Sequence, residues 1–353
     1  MITLGIESSC DDTAVAVIRG NREILSERIS SQIAEHQRFG GVVPEYAARM
    51  HQEAILPLVN LVIDEARTKM SGDDTIDLIA VTCGPGLMGS LLVGVLTARA
   101  LGYAWDTPVI GVNHIEGHMF ANFLADESLE PPFLCLVVSG GHTEIILVRG
   151  WGDYVILGGT RDDAAGEAFD KAAKLLGLPY PGGAIIDNMS MKGNPKAYSF
   201  PIPLKNSGEV EFSFSGLKTA LLWKLKEFCA NQSTPATSKD LIGKSDIENI
   251  SLTDKCKNDI CASYQAAIVE SLMTKLELAV KKTGVSKVAI SGGVAANSAL
   301  RAAIRSKSGV WEVHIPSITH CTDNAAMIAA AGACAWNRGV RMDTISPDPS
   351  LSL

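Results

Sequence analysis

The chain has no apolar run long enough to span a bilayer. Its longest candidate, Leu87 to Tyr103, is interrupted by Gly89, Gly94, Thr97 and Arg99. A charged leader is missing too: Met1-Ile2-Thr3-Leu4-Gly5-Ile6 already reads as a strand, so no signal peptide is expected. The eight cysteines show no CxxC spacing and are scattered through apolar segments, which predicts reduced thiols in a cytoplasmic protein. Nor is there an excess of basic charge. A net charge of −8 argues against binding nucleic acid over the whole surface and leaves room only for a local basic patch. Coiled-coil heptads and short-period repeats are absent.

What remains is a globular composition. Hydrophobic residues make up 46% of 353, enough for a substantial core, and the length exceeds what one core usually organises. Two segments share one design. Leu4 to Ile18 reads as strand, small polar turn, strand; Leu134 to Val148 repeats it with Ser139-Gly140-Gly141-His142-Thr143 as the turn. Two strand–glycine–helix units, Leu78 to Leu87 and Val288 to Asn297, point the same way. Their glycines allow close ligand approach and their helix N-termini offer N–H groups to phosphate, although a simple tight turn is the commoner fate of a glycine pair. The pattern predicts a duplicated α/β fold with a first lobe over 1–130 and a second over 131–345. A polar insertion near 230–259 is expected as a surface loop, and the tail 346–353, with two prolines, as poorly ordered.

His114-Ile115-Glu116-Gly117-His118 places two histidines one helical turn apart, the spacing for a shared metal. It is not the zincin HExxH: Glu116 falls roughly 200° round the helix from His114, so a peptidase loses its base. Spacing alone weighs a metal pair and two unconnected histidines equally. A third ligand has two candidates, Asp323 and His320, and Asp323 reads equally well as the N-cap of the following small-residue helix. Two histidines and one carboxylate would leave coordination positions open for a substrate. Asp170 has an ordinary reading as a salt-bridge partner of Lys174 and a functional one as acceptor of a ribose hydroxyl.

In order along the chain stand Glu7-Ser8-Ser9-Cys10-Asp11, Gly40-Gly41-Val42-Val43-Pro44-Glu45, Gly84-Pro85-Gly86-Leu87, His114 to His118, Val138 to Thr143, Gly166-Glu167-Ala168-Phe169-Asp170-Lys171, Phe212 to Thr219, Ser291-Gly292-Gly293-Val294 and Cys321-Thr322-Asp323-Asn324. Each motif is weak alone; the ordered set, over about residues 2 to 340, resembles the bacterial TsaD type of tRNA adenosine threonylcarbamoyltransferase. That resemblance implies an actin/Hsp70-like (ASKHA) fold with a ligand cleft between two lobes. The implied reaction moves threonylcarbamoyl from threonylcarbamoyl-adenylate to the N6 amine of the adenosine beside the anticodon, in tRNAs reading codons that begin with A. It implies one divalent metal, Fe2+ before Zn2+, on His114, His118 and Asp323. Substrate contacts are implied at Val138, Ser139, Gly140, Gly141, His142, Asp170, Gly183, Asp187 and Asn297, with Asp11 near the reacting groups. The implied partners are tRNA, a metal-less paralogous subunit and a small ATPase subunit. An ATPase or kinase of the same fold and a metallopeptidase are the competing readings.

Overall fold

The computed structural model describes residues 1–72, 74–232 and 252–353. Two five-stranded mixed sheets organise it. The first contains β1 (Ile2–Glu7), β2 (Asp12–Arg19), β3 (Glu23–Ser31), β4 (Leu78–Gly84) and β5 (Val109–Asn113) in the order β3-β2-β1-β4-β5. The second contains β6 (Phe133–Val138), β7 (Thr143–Gly150), β8 (Asp153–Gly159), β9 (Lys287–Ser291) and β10 (Glu312–His314) in the order β10-β9-β6-β7-β8. In each, three antiparallel strands come first and two parallel strands follow. Read from the opposite edge, the second order is the first again, so the duplication expected from two hairpins extends to whole sheets. β1, β4 and β6 are buried along their whole length, which is why they read as continuous apolar runs instead of alternating ones.

Helices α1 (Ile33–Gln37), α2 (Pro44–Arg67) and α3 (Met88–Trp105) belong to the first half, which ends in α4 (His114–Ala125). Helices α5 (Ala165–Leu175), α6 (Gly182–Ser190) and α7 (Ser215–Gln232) lie in the second half with the helices Asp254–Thr283, Ser298–Arg305 and Ala325–Asn337. The polar stretch expected as a loop over 230–259 is helical at both ends, because α7 runs through Ala230 and the next helix begins at Asp254, capped by Thr253. Its middle, 233–251, lies outside the described residues.

The two halves exchange their last helices. Ile115 and Met119 of α4 pack among Phe133, Cys135, Val137 and Ala289 of the second sheet. In return the C-terminal helix Ala325–Asn337 packs on Ala14, Ala16, Leu78, Ala80 and Ile110 of the first. Within the span 131–345 expected as the second lobe, the last helix thus packs on the first sheet, to which its small apolar face is complementary. The two exchanged helices cross at Gly117, where an added Cβ would stand 2.6 Å from Ile328 Cδ1. A larger residue here would force the end of the Ile328 side chain to move.

The tail also departs from expectation. Asp348 donates its N–H to Cys83 O at 2.7 Å, Gly86 donates to Pro349 O, and the Asn113 amide reaches Leu351 O. Ile345 and Leu351 join the apolar cluster under β1 and β4. Two aliphatic anchors and backbone pairing outweigh the disordering effect of the prolines. Among the described residues no helix is long and apolar enough to cross a membrane.

Candidate active site at the seam between the lobes

Asn113, at the end of β5, caps α4 by accepting from Ile115 N at 2.8 Å and Glu116 N at 3.4 Å. That fixes the helix start at His114 and sets His114 and His118 on one face, with ring centroids 4.6 Å apart. Across from them the choice left open for Asp323 is decided by its neighbour. Asn324 caps the C-terminal helix, accepting from Met327 N at 2.9 Å, and leaves Asp323 one residue outside with its carboxylate free to turn inward. Asp323 Oδ1 lies 3.5 Å from His114 Nε2 and 3.3 Å from His118 Nε2. The rival, His320, is not in this group; its Nδ1 sits 3.1 Å from Ser317 Oγ. Glu116 points away and accepts from the Tyr154 hydroxyl, with Arg338 near. Glu116 is therefore not placed to act as a base at this cluster, as its spacing predicted.

One ligand atom from each of His114, His118 and Asp323 falls within 4.8 Å of the others. His118 supplies the test of whether a cation fits. Its side chain is fully buried, yet neither ring nitrogen has an aligned hydrogen-bond partner; Nε2 only approaches Asp323 Oδ1 to 3.3 Å. Leaving a buried imidazole unpaired is expensive, and a metal accepting the Nε2 lone pair would satisfy one of its two nitrogens. His114 is prepared differently. Its Nδ1–H donates to Glu7 Oε2 at 3.0 Å, with Ser9 Oγ 3.2 Å away, which turns Nε2 toward Asp323. Glu7 is completely buried and also accepts from the Thr82 hydroxyl and the Ser9 N–H. A carboxylate behind a metal-facing histidine fixes the ring's tautomer and orientation.

Electrostatics follow this geometry. Burial would lower the His114 pKa, but the charges of Glu7 and Asp323 carry it up to about 9. Burial opposes the Asp323 charge as well, yet the histidines beside it hold its carboxyl well below the usual range. His142, from the turn between β6 and β7, feels the same cluster: burial first, then His114 and His118, push it down to about 4, so its ring is neutral at pH 7.

The second-lobe loops converge on that turn. A Cβ on Gly292, whose φ is +87°, would stand 2.4 Å from Val138 O, so the strand–glycine–helix unit after β9 lies directly against the start of the turn. A Cβ built on Gly140 or Gly141 would meet nothing within 4 Å, and one on Gly183 only Phe169 Cβ at 4.0 Å. Ser139 Oγ accepts from His142 N and closes the turn. Asp170 does not pair with Lys174; it accepts from Gly182 N at 2.7 Å, at the N-terminus of α6, and burial raises its pKa to about 6 despite that bond. Asp187 and Asn297 are engaged internally. Asp187 accepts from both the N–H and the hydroxyl of Ser298, while Asn297 caps the helix Ser298–Arg305 through Leu300 N and donates to Gln265 Oε1. The charge of Asp11, from the turn between β1 and β2, reaches Asp170 and Tyr180, so the two lobes' turns share one electrostatic environment. Burial raises the Asp11 pKa.

Sequence reasoning missed Glu7, quoted within its motif but given no part, and His51. Glu7 carried a legible signal, an acid closing an otherwise apolar strand. His51 carried only its place on the inward face of α2.

Two sheets of one topology with exchanged last helices, and a His/His/Asp cluster at their seam, define an actin-like two-lobed α/β protein. Solved structures share that fold. A HypF from T. kodakarensis superposes with a TM-score of 0.61 at 15% identity, covering 96% of this chain and 48% of that one. An activator of 2-hydroxyisocaproyl-CoA dehydratase from Clostridium difficile superposes at 0.51 and 15%, covering 98% and 100%. The family model TsaD, tRNA N6-adenosine threonylcarbamoyltransferase, matches residues 23–330. Curated proteins of that name are similar over nearly full length: one from Anaeromyxobacter dehalogenans strain 2CP-C is 48% identical, covering 99% of both chains. One from Thermomicrobium roseum is 48% identical over 97% of this chain and 94% of its own. The chain belongs to the TsaD family of tRNA N6-adenosine threonylcarbamoyltransferases, and the ATPase and peptidase readings are not favoured.

Proposed function

We propose that this chain transfers the threonylcarbamoyl group from threonylcarbamoyl-adenylate to the N6 amine of the adenosine 3′ to the anticodon in tRNAs reading ANN codons. The observation that carries the reading is the His114/His118/Asp323 cluster, whose second histidine is buried without an aligned hydrogen-bond partner beside an open glycine turn. The N6 lone pair is delocalised into the purine ring, so the amine is a poor nucleophile, and the adenylate compensates by presenting an activated carbonyl. In the transfer the amine nitrogen bonds to the carbamoyl carbon, the bond from that carbon to the phosphate oxygen breaks, AMP leaves, and the amine gives up a proton.

Each residue then has a part. His114, His118 and Asp323 would hold one divalent ion, iron(II) first and zinc second, because two imidazoles and a carboxylate with open positions suit both. The ion would supply charge stabilisation at the adenylate. Val138, Ser139, Gly140 and Gly141 would present backbone N–H groups to phosphate or the threonyl carboxylate. His142, neutral at pH 7, would donate or accept a hydrogen bond without adding charge. Asp170 would receive a ribose hydroxyl, with Gly183 giving it clearance. Asp187 and Asn297 act by joining α6, the helix Ser298–Arg305 and the helix Asp254–Thr283 into one wall. Asp11 would take the amine proton, its raised pKa making it a better base than an exposed carboxylate. Holding both reactants in register would supply much of the remaining rate.

For partners, the proposal is tRNA together with a metal-less paralogous subunit and a small ATPase subunit, in the cytoplasm. Met88, Leu92 and Leu96 stand exposed one turn apart on α3; this apolar stripe supports a partner subunit. The test is transfer with purified partners, threonylcarbamoyl-adenylate and tRNA. Modified adenosine should form without stoichiometric ATP consumption in that step. Robust ATP hydrolysis by the isolated chain, with no transfer under those conditions, overturns the proposal.

A further inference from the structure

His51 is a buried titratable side chain with no part in the transfer described above. It lies on the inward face of α2, wholly shielded from solvent, and its two ring nitrogens reach the turn between β1 and β2 and the start of β2. Nε2 stands 2.9 Å from Cys10 O, and Nδ1 stands 2.7 Å from Thr13 Oγ1. A carbonyl can only accept, so Nε2 carries the proton; Nδ1 then offers its lone pair to the Thr13 hydroxyl. One rigid ring thus bridges both ends of the Cys10–Thr13 segment, and the two residues between its anchors are Asp11 and Asp12.

We infer that His51 is the positioning residue for Asp11, locking the turn that carries this carboxylate so that it faces the second lobe at a fixed angle. Other contacts hold one point or one end of the segment, as the β2–β3 ladder does in pairing Asp12 with Ser31 and Thr13 with Ser30. Gln32 N donates to Asp11 O at 3.0 Å, and the Ser90 hydroxyl reaches Cys10 O at a longer 3.3 Å. Of these contacts, His51 alone spans the segment. Burial lowers the ring's pKa, which agrees with a neutral Nε2–H tautomer. An ordinary core histidine would hold α2 to the sheet and affect stability only. A positioning histidine also sets the rate, because a displaced base about 1 Å out of place costs up to roughly 100-fold.

The inference rests on Asp11 acting as proposed, and the experiment separates the two. The full-length chain, reconstituted with its partner subunits, threonylcarbamoyl-adenylate and tRNA, is compared with His51→Ala, His51→Gln, His51→Asn, Asp11→Asn and the His51→Ala/Asp11→Asn double variant. His51→Ala is expected to lower kcat roughly 10- to 100-fold with KM for the adenylate and bound metal unchanged. His51→Gln, whose amide nitrogen occupies the place of Nε2, should recover most of that loss. His51→Asn, which imitates only the Nδ1 side, should not. The double variant should be no slower than Asp11→Asn alone, since residues acting through one another are non-additive. Wild-type kcat in His51→Ala while Asp11→Asn is slow overturns the inference by itself. Wild-type kcat in Asp11→Asn overturns the role of Asp11, and absence of transfer by the unaltered protein overturns the activity. Should His51→Ala fail to fold, equal rates for the Gln and Asn variants overturn the inference, and a fast Gln with a slow Asn supports it.

Discussion

Glu7 and His114, 107 residues apart in sequence, meet through a 3.0 Å bond from the histidine Nδ1–H to a carboxylate oxygen with no solvent exposure. The acid ends the first strand of one sheet, and the histidine opens the helix exchanged to the other. Their pairing sets which nitrogen of His114 faces Asp323. It also places the charge balance of the cluster under the control of the first strand.

This relationship gives a direct expectation for Glu7→Gln. The amide preserves size but accepts a weaker bond from His114, so metal affinity should fall about 10- to 100-fold. Competition with a graded series of chelators measures it. Unchanged affinity would show that Thr82 and Ser9, and not His114, are the reason for the buried acid.

His114→Ala, His118→Ala and Asp323→Ala should each lose bound metal while keeping the fold, because all three sit at the seam and none belongs to the main apolar clusters. Elemental analysis combined with circular dichroism reads both properties. Full occupancy in any of these variants would move the site, with His320 the first place to look.

Asp12 offers a test through pH. Burial first, then the charges of Asp323, Asp11 and Glu7, raise its pKa to about 7 in spite of a bond to Ser31, and its Oδ1 has no partner. A carboxyl whose folded pKa exceeds its unfolded one favours the folded state at low pH, and that contribution disappears as pH rises from about 4 to about 7. Asp12→Asn imitates the protonated form. It should therefore stabilise the fold above pH 7 by on the order of a few kcal/mol at most, read as a higher melting temperature, and have little effect near pH 4. A stabilisation independent of pH would show that the fold does not raise the pKa of this carboxyl.

Asn297→Ala should cost about 0.5–2 kcal/mol of stability, since the side chain caps the helix Ser298–Arg305 and holds Gln265. Denaturant unfolding checks it. A variant of full stability and weakened AMP binding would instead make Asn297 a direct ligand contact.

The chain's local order was legible because strands, turns and helix starts are set by neighbours in sequence. The two hairpins of Leu4–Ile18 and Leu134–Val148, the histidine spacing on α4 and the outward turn of Glu116 all follow from a period of two or 3.6 residues. The sequence by itself therefore determined a duplicated α/β protein with a histidine pair. Tertiary structure decided what the pair meets. Asp323 was a helix cap or a ligand until Asn324 occupied the cap, and Asp170 a salt-bridge partner until the N-terminus of α6 arrived beside it. Helix exchange between the halves brings Glu7, His114 and Asp323 together across more than 300 residues, and no local pattern encodes that exchange. It depends on which apolar face fits which sheet, on Gly117 admitting a helix crossing, and on two aliphatic residues fastening a tail that its prolines alone would leave loose. Such fits are sums of many weak contacts between distant segments, which is why they exist only once the chain has folded.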